Sequence, residues 1–312
     1  MKKRISILYL FILTSLVVVN AQEKTTFKSL TGVKDLYPSI SKDGKKVVFQ
    51  SNRSGTMEIY SMDENGKNIK QLTFNSENAN TPVWSPDGRQ IVYCYEKYDD
   101  SDIWIMNSDG TNQRQLTKQV GDDSHPKFSP DGQFIVFNSA RTSPDLTVDW
   151  GKQWLEIFIM KTDGSNVKQI SSFKTISTYP SISPDSKKIC FRRITSDPGF
   201  NWDLTTNKRN SEVFVMNMDG TNPINVSNNA AYDGWPAWTP TGEVVYSSNR
   251  GGFANEAQLY KVNSDGTNTT LLHTKKGALV QVSITSDGKK IYCYHNVESS
   301  DFEYGGIAVI IL

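Results

Sequence analysis

The chain is poor in the residues and patterns that usually carry chemistry. Its 312 residues include only three histidines and three cysteines. His125, His273 and His295 are scattered and show no metal-ligand spacing. Cys94, Cys190 and Cys293 each fall inside an apolar run (IVYCY, KKICF, IYCYH), where a cysteine behaves as a small buried hydrophobe. Their spacing is not that of a zinc site, and a domain of this size needs no disulfide. The sequence has no Gly-x-Ser-x-Gly elbow and no Gly-x-x-x-x-Gly-Lys phosphate loop. Asp99, Asp100 and Asp102 lack the glycine turn and ligand alternation of a calcium loop. No metal and no cofactor are expected. Charge of one sign is lacking too: 34 basic and 33 acidic residues leave a net +1. No positive field exists to gather nucleic acid or anionic lipid.

Long apolar runs are confined to the N-terminus. Lys2, Lys3 and Arg4 precede an apolar run from Ile5 to Val19, and Ala21 precedes the polar Gln22-Glu23-Lys24. The run is shorter than the roughly 20 residues of a membrane-spanning helix. It has the basic, apolar and small-residue order of a secretory leader. The expected division is a signal peptide at 1–21 and one domain at 22–312. No cysteine stands at the cleavage site to take a lipid. The mature chain is expected to be periplasmic or secreted and monomeric, without a membrane span.

What the sequence does have is repetition. Blocks beginning YPSISKDGKKVVFQ, TPVWSPDGRQIVYC, HPKFSPDGQFIVFN, YPSISPDSKKICFR, WPAWTPTGEVVYSS and QVSITSDGKKIYCY follow one another. The marker residues Pro38, Pro82, Pro126, Pro180, Pro236 and Val282 are 44, 44, 54, 56 and 46 residues apart. A period of about 40–50 residues marks the blades of a propeller. Each unit reads as four strands. A short first strand meets a Ser-Pro-Asp-Gly turn, and a second apolar strand is followed by a third such as DIWIM or EIFIM. An Asn/Asp-Gly hairpin turn then leads to a fourth strand ending in Leu-Thr or Ile-Ser. The sixth unit stops after its third strand at Leu312. Lys28-Ser29-Leu30-Thr31 matches Lys70-Gln71-Leu72-Thr73. The fold expected is therefore all-β, a six-bladed propeller whose sixth blade is closed by the N-terminal strand. Closure removes the exposed edges that an open ring would leave.

The units resemble the TolB-type propeller repeat. The resemblance rests on Trp84-Ser85-Pro86-Asp87-Gly88, Asp102-Ile103-Trp104-Ile105-Met106 and Leu116-Thr117 and their counterparts, and covers about residue 28 to the end. It implies the propeller of that family without its preceding α/β domain, and without the peptidase domain that follows some related propellers. The same repeat occurs in TolB, in propellers attached to prolyl peptidases and in some polysaccharide lyases, so it points to the fold and leaves the function open.

In a propeller the first strands line the channel, and the loops leading into them share a face with the loops between strands two and three. The residues before the marker positions, Tyr37, Thr81, His125, Tyr179, Trp235 and Gln281, are expected to ring one mouth of the channel. Asp35, Asp123 and Asp233 stand two residues earlier. Asn52-Arg53 and Asn249-Arg250 recur at one blade position and read as structural turn contacts. Two insertions, about Thr142–Leu155 and Thr195–Ser211, fall between strands two and three of adjacent blades. They carry Trp150, Trp154, Phe200 and Trp202 and are expected to wall that mouth. The ligand-binding set expected is Tyr37, Asp123, His125, Tyr179, Asp233, Trp235, Trp150, Trp154 and Trp202. Aromatic faces and carboxylates suit a peptide or a sugar, though the rings can equally serve only to fill space between blades. The first functional reading is a non-catalytic binding module of the bacterial envelope, with an envelope protein segment or a cell-surface glycan as partner. The second is a lyase or glycosidase, with His125, Tyr179 and Arg193 supplying a base and a group to neutralise a uronate.

Overall fold

The structure is a computed structural model that describes residues 25–32, 34–97, 100–196, 210–250, 256–296 and 305–312. Residues 1–21, with the expected leader, and Phe200 and Trp202 lie outside them. Each repeat forms one four-stranded antiparallel sheet, and the six sheets make an all-β, six-bladed propeller. Blade I contains Asp35–Ile40, Lys46–Ser51, Glu58–Asp63 and Lys70–Gln71. Blades II to V start at Ala79–Trp84, Asp123–Phe128, Ser177–Ile182 and Asp233–Trp238. Blade VI takes Ala278–Ile284, Lys290–Asn296 and Gly305–Ile311 from one end of the chain and Thr26–Ser29 from the other. Thr26 pairs with Ile311 and Ser29 with Ala308. The Leu30 N–H donates to the Ile307 carbonyl at 2.8 Å. First strands of neighbouring blades touch all the way round, blade VI against blade I included.

The core is divided among the blade interfaces, because strands two and three are apolar on both faces and must be covered on both. One apolar cluster lies between each neighbouring pair. Between blades VI and I, for example, Tyr292, Ile307 and Val309 meet Ile40, Val47 and Phe49. The three cysteines are free and buried in these layers, and burial pushes the Cys94 and Cys293 thiols up to about 12.

Side-chain hydrogen bonds explain the recurring sequence words. In the Ser-Pro-Asp-Gly turn of blade II, Ser85 Oγ donates to Asp87 at 2.6 Å and accepts the Gln90 N–H at 2.9 Å. Bonds from Ser85 and from the Arg89 N–H hold the Asp87 carboxyl below its ordinary range. Thr73 at the Leu-Thr tail accepts the Ile59 N–H and donates to Glu58, tying strand four to strand three. Thr117 with Asp102, Ser171 with Glu156 and Ser227 with Glu212 repeat that tie. The hairpin glycines press on the preceding blade. A Cβ on Gly110 would lie 2.5 Å from the Leu72 carbonyl oxygen, and its φ of 94° also favours glycine.

Candidate functional site

A bulge in every first strand builds the site. The register slips between Leu36 and Ser39, between Asn80 and Val83, and at the matching place in the other four blades. At each slip sits the residue before the marker: Tyr37, Thr81, His125, Tyr179, Trp235 or Gln281, all with φ between 48° and 58°. This left-handed conformation costs a non-glycine residue roughly 1–2 kcal/mol. Its presence in all six blades makes it a property of the blade. The bulge frees a backbone N–H from the ladder, and in blades I and II a glutamine of the preceding blade captures it. Tyr37 donates to Gln281 Oε1 at 2.8 Å and Thr81 to Gln50 Oε1 at 2.7 Å.

The four rings expected at the channel converge there and plug it. The Tyr179 ring lies 4.0 Å from His125, 5.9 Å from Trp235 and 6.4 Å from Tyr37, centroid to centroid. Tyr37 and Tyr179 hydroxyls are 3.3 Å apart. Tyr179 and Trp235 are buried, while Tyr37 and His125 are half-buried. His125 Nδ1 bonds Asn138 Oδ1 at 2.9 Å, so Nδ1 carries the proton and Nε2 is left as an acceptor. Burial, and secondarily the positive charges of Arg192 and Lys127, lower the His125 pKa to about 3 despite the Asn138 bond. The imidazole is therefore neutral.

Sequence reasoning missed the tier of side chains beside the plug: Gln50, Cys94, Asn138, Arg192, Ser247 and Tyr294. Each pairs across from the residue preceding the bulge, and all are buried. Arg192 matters most. Its guanidinium lies 5.1 Å over the Tyr179 ring and donates to the Tyr232 hydroxyl at 3.0 Å. Arg193, expected with His125 and Tyr179, points to the other side of the strand and stacks 4.2 Å over Phe173. Alternation along a strand decides this: adjacent residues face opposite ways.

Asp123 and Asp233, expected on the rim, are instead fully buried in ion pairs with Arg141 and Arg250. Asp35 pairs with Arg53 in the same way. Each guanidinium also stacks on aromatic residues of strands two and three, Phe137 and Phe158 in blade III, and bonds a serine at strand two's end. These pairs brace blades I, III and V. Asn52-Arg53 and Asn249-Arg250 thus lie at structural contacts, as their repetition implied.

The open space at the mouth is a cavity of about 560 Å³. Tyr37, His125 and Tyr179 line it, and Trp150 joins them from a short 3-10 turn in the first insertion. Trp150 is held by packing against Ala140, Leu155 and Ile176. Trp154 lies elsewhere, beneath the Lys174 ammonium at 5.6 Å. Trp235 lines a deeper slot and not this cavity. The carboxylates of the mouth are Glu77, Glu96, Asp100 and Asp122, and no lysine or arginine is among the described residues lining it. Glu96 accepts from Asn80 at 2.6 Å and from Asn78 at 3.1 Å. Asp122 accepts the Ser101 N–H at 3.0 Å. Burial, aided by Asp100, Glu96 and Asp123, raises Asp122 to about 6. Burial also raises Asp100. Among the described residues no group of three or more His, Cys, Asp or Glu is arranged to hold a metal ion. No helix there is long and apolar enough to cross a membrane.

Fold and site together define a six-bladed propeller module with one acidic, aromatic mouth. Comparison with known proteins extends this. The family described as TolB beta propeller domain matches residues 13–98 and 78–146, less than half of the chain, so that part is similar to TolB-type propeller repeats. No curated protein matches its sequence. Among solved structures it is similar to TolB from Acinetobacter baumannii, at 20% identity and a TM-score of 0.62 over 80% of this chain and 56% of that one. It thus spans little more than half of that protein. A putative TolB from Agrobacterium tumefaciens is similar at 20% identity and TM-score 0.62, over 89% of both chains. An oligogalacturonate lyase from Vibrio parahaemolyticus is similar at 13% identity and TM-score 0.61, over 94% of this chain and 95% of that one. At these identities the likeness establishes the fold alone.

Proposed function

We propose that the protein is an exported binding module of the bacterial envelope whose mouth receives a positively charged protein segment. The observation that carries this is the cavity of about 560 Å³ with four carboxylates, four rings and no lining cation among the described residues. Carboxylates on low-dielectric walls concentrate a cationic ligand, and Tyr and Trp faces attract ammonium and guanidinium groups. Phe74 and Val120, 77% and 74% exposed, stand on the linkers that carry Glu77 and Asp122. Such apolar side chains suit a polypeptide partner better than a sugar. The similarity to TolB structures supports an envelope setting, and the leader expected at 1–21 supports export.

The test is titration calorimetry with a nine-residue peptide of alternating Lys and Phe against one of alternating Glu and Phe. The lysine peptide is expected to bind and to weaken with added salt, and the glutamate peptide to give no heat. Equal binding of the two sinks the proposal. The polysaccharide-lyase reading keeps one favourable observation, the neutral His125 packed on Tyr179. The four mouth carboxylates oppose it, because they repel a polyuronate. Incubation with polygalacturonate should give no unsaturated product absorbance; activity that disappears in His125→Ala would favour the lyase.

A further inference from the structure

The aromatic plug makes the mouth a blind cavity. Ring centroids 4.0 to 6.4 Å apart close the channel beneath it, so a polypeptide cannot thread through. It must insert a side chain, fold back or end there. The polar groups on the wall discriminate among these.

Gln50 is the telling one. Its side chain is 6% exposed and lines the cavity. Oε1 accepts the Thr81 N–H at 2.7 Å, which fixes the orientation of the amide and makes the other end its donor. That Nε2 has no hydrogen-bond partner among the described residues and is not sealed from the cavity. Ser124 adds a second donor: its Oγ accepts from Asn138 at 2.8 Å and keeps its own proton to give. Two donors thus await an acceptor on whatever fills the mouth.

Acceptors stand beside them. Glu96 takes Asn80 on one oxygen at 2.6 Å and Asn78 on the other at 3.1 Å, so the carboxylate is oriented before a ligand arrives. Contacts run unbroken from Gln50 to Glu96, because Gln50 holds the Thr81 backbone and the preceding Asn80 holds Glu96. Asp100 and Asp122 add charge to the same wall. The unprotonated Nε2 of His125 lies at the floor.

A lysine or arginine side chain brings donors alone and leaves Gln50 Nε2 and the Ser124 hydroxyl unanswered. A C-terminus brings acceptors, but the carboxylates repel it. An N-terminal residue brings an ammonium and, beside it, a carbonyl acceptor.

We propose that the mouth captures the N-terminal residue of a partner polypeptide, its α-ammonium on Glu96 and its first carbonyl on Gln50 Nε2. This rests on the reading of the mouth as a site for a cationic protein segment and adds which part of the partner enters. Gln50 is the residue that distinguishes a chain end from a lysine side chain.

The experiment is titration calorimetry of the full chain at pH 7 with the alternating Lys and Phe nonapeptide, amidated at its C-terminus. It is compared with the same peptide acetylated at the N-terminus. The free terminus is expected to bind roughly tenfold more tightly. Acetylating the last lysine side chain instead removes the same unit of charge and should cost less than about threefold. If both acetylations cost the same, or neither costs anything, the inference is overturned and the cationic-segment reading stands. No heat from any of the peptides overturns both.

Gln50→Leu should weaken the free peptide about fivefold and leave the N-acetylated one unchanged. Equal weakening of the two overturns the assignment of Gln50. That substitution also takes the acceptor from Thr81, so the same contact is tested on the unaltered protein. A peptide beginning with β-alanine sets the ammonium one carbon further from the carbonyl. It should bind roughly fivefold more weakly than one beginning with alanine; equal binding overturns the pairing of the two groups.

Discussion

The two faces of the ring are made by the same six blades, yet they follow different rules. On the turn face, five of the blades close the first hairpin with the same Ser or Thr donating to an Asp two residues on. Blade V substitutes Thr239, Thr241 and Glu243 to the same end. On the mouth face the backbone is just as regular, with φ of 48–58° at every bulge, but the six side chains there are Tyr, Thr, His, Tyr, Trp and Gln. Repetition of backbone and side chain together marks what the fold requires. Repetition of backbone alone, with the side chains released, marks where chemistry can vary. The Asp–Arg pairs belong to the first kind although they lie near the mouth.

Four predictions test this contrast. The largest effect should come from breaking the ring: removing Thr26–Ser29 exposes the edge of Gly305–Ile311 and uncovers Phe27's packing surface. A loss of about 3–5 kcal/mol is expected in urea unfolding, and an unchanged midpoint would contradict closure. Next is Asp123→Ala, which leaves Arg141 half-buried without its counter-charge and should cost about 3 kcal/mol. Adding Arg141→Met should recover part of that loss. Glu96→Gln at the mouth should change stability by less than about 0.5 kcal/mol, and a comparable loss at both positions would erase the distinction between brace and mouth.

The third prediction concerns pH. Asp122 is raised to about 6, so a proton competes with a bound cation below that value. Affinity for the lysine peptide should fall between pH 7 and 5 by about tenfold. His125, at about 3, stays neutral throughout that window and adds no charge of its own. Asp122→Asn should weaken binding at pH 7 and flatten the profile, and a profile unchanged by the substitution would remove Asp122 from the site. The smallest effect should be at the bulge: Thr81→Asn puts a residue tolerant of positive φ where a β-branched one is strained, and should stabilise by about 0.5–1 kcal/mol.

The blade count, the closing strand and the inward rings of Tyr37, His125, Tyr179 and Trp235 were legible in the sequence, because a repeat fixes equivalent positions without any contact being known. What was not legible depended on partners far along the chain. Asp123 and Asp233 looked like rim carboxylates because their arginines lie 18 and 17 residues later. A signal existed: an Asp followed at that spacing by Ser-x-Arg occurs in blades I, III and V. Arg192 and Arg193 are adjacent, and only alignment of Arg192 with Gln50, Cys94 and Asn138 tells which one faces the channel. Glu77, Glu96, Asp100 and Asp122 come from two linkers and two strands of different local pattern, so only the folded ring shows them sharing one space.

The pairing of Thr26 with Ile311 also fixes how the protein can be handled. Leu312 donates its N–H to the Lys289 carbonyl beside the last tight turn, so the ends of the described chain leave the ring together, at its outer margin and away from the cavity. A reporter or an immobilising linker attached at Leu312 would project backward and leave the cavity facing the solution. Surface capture by that end would orient every molecule the same way and leave its opening free for ligand screening.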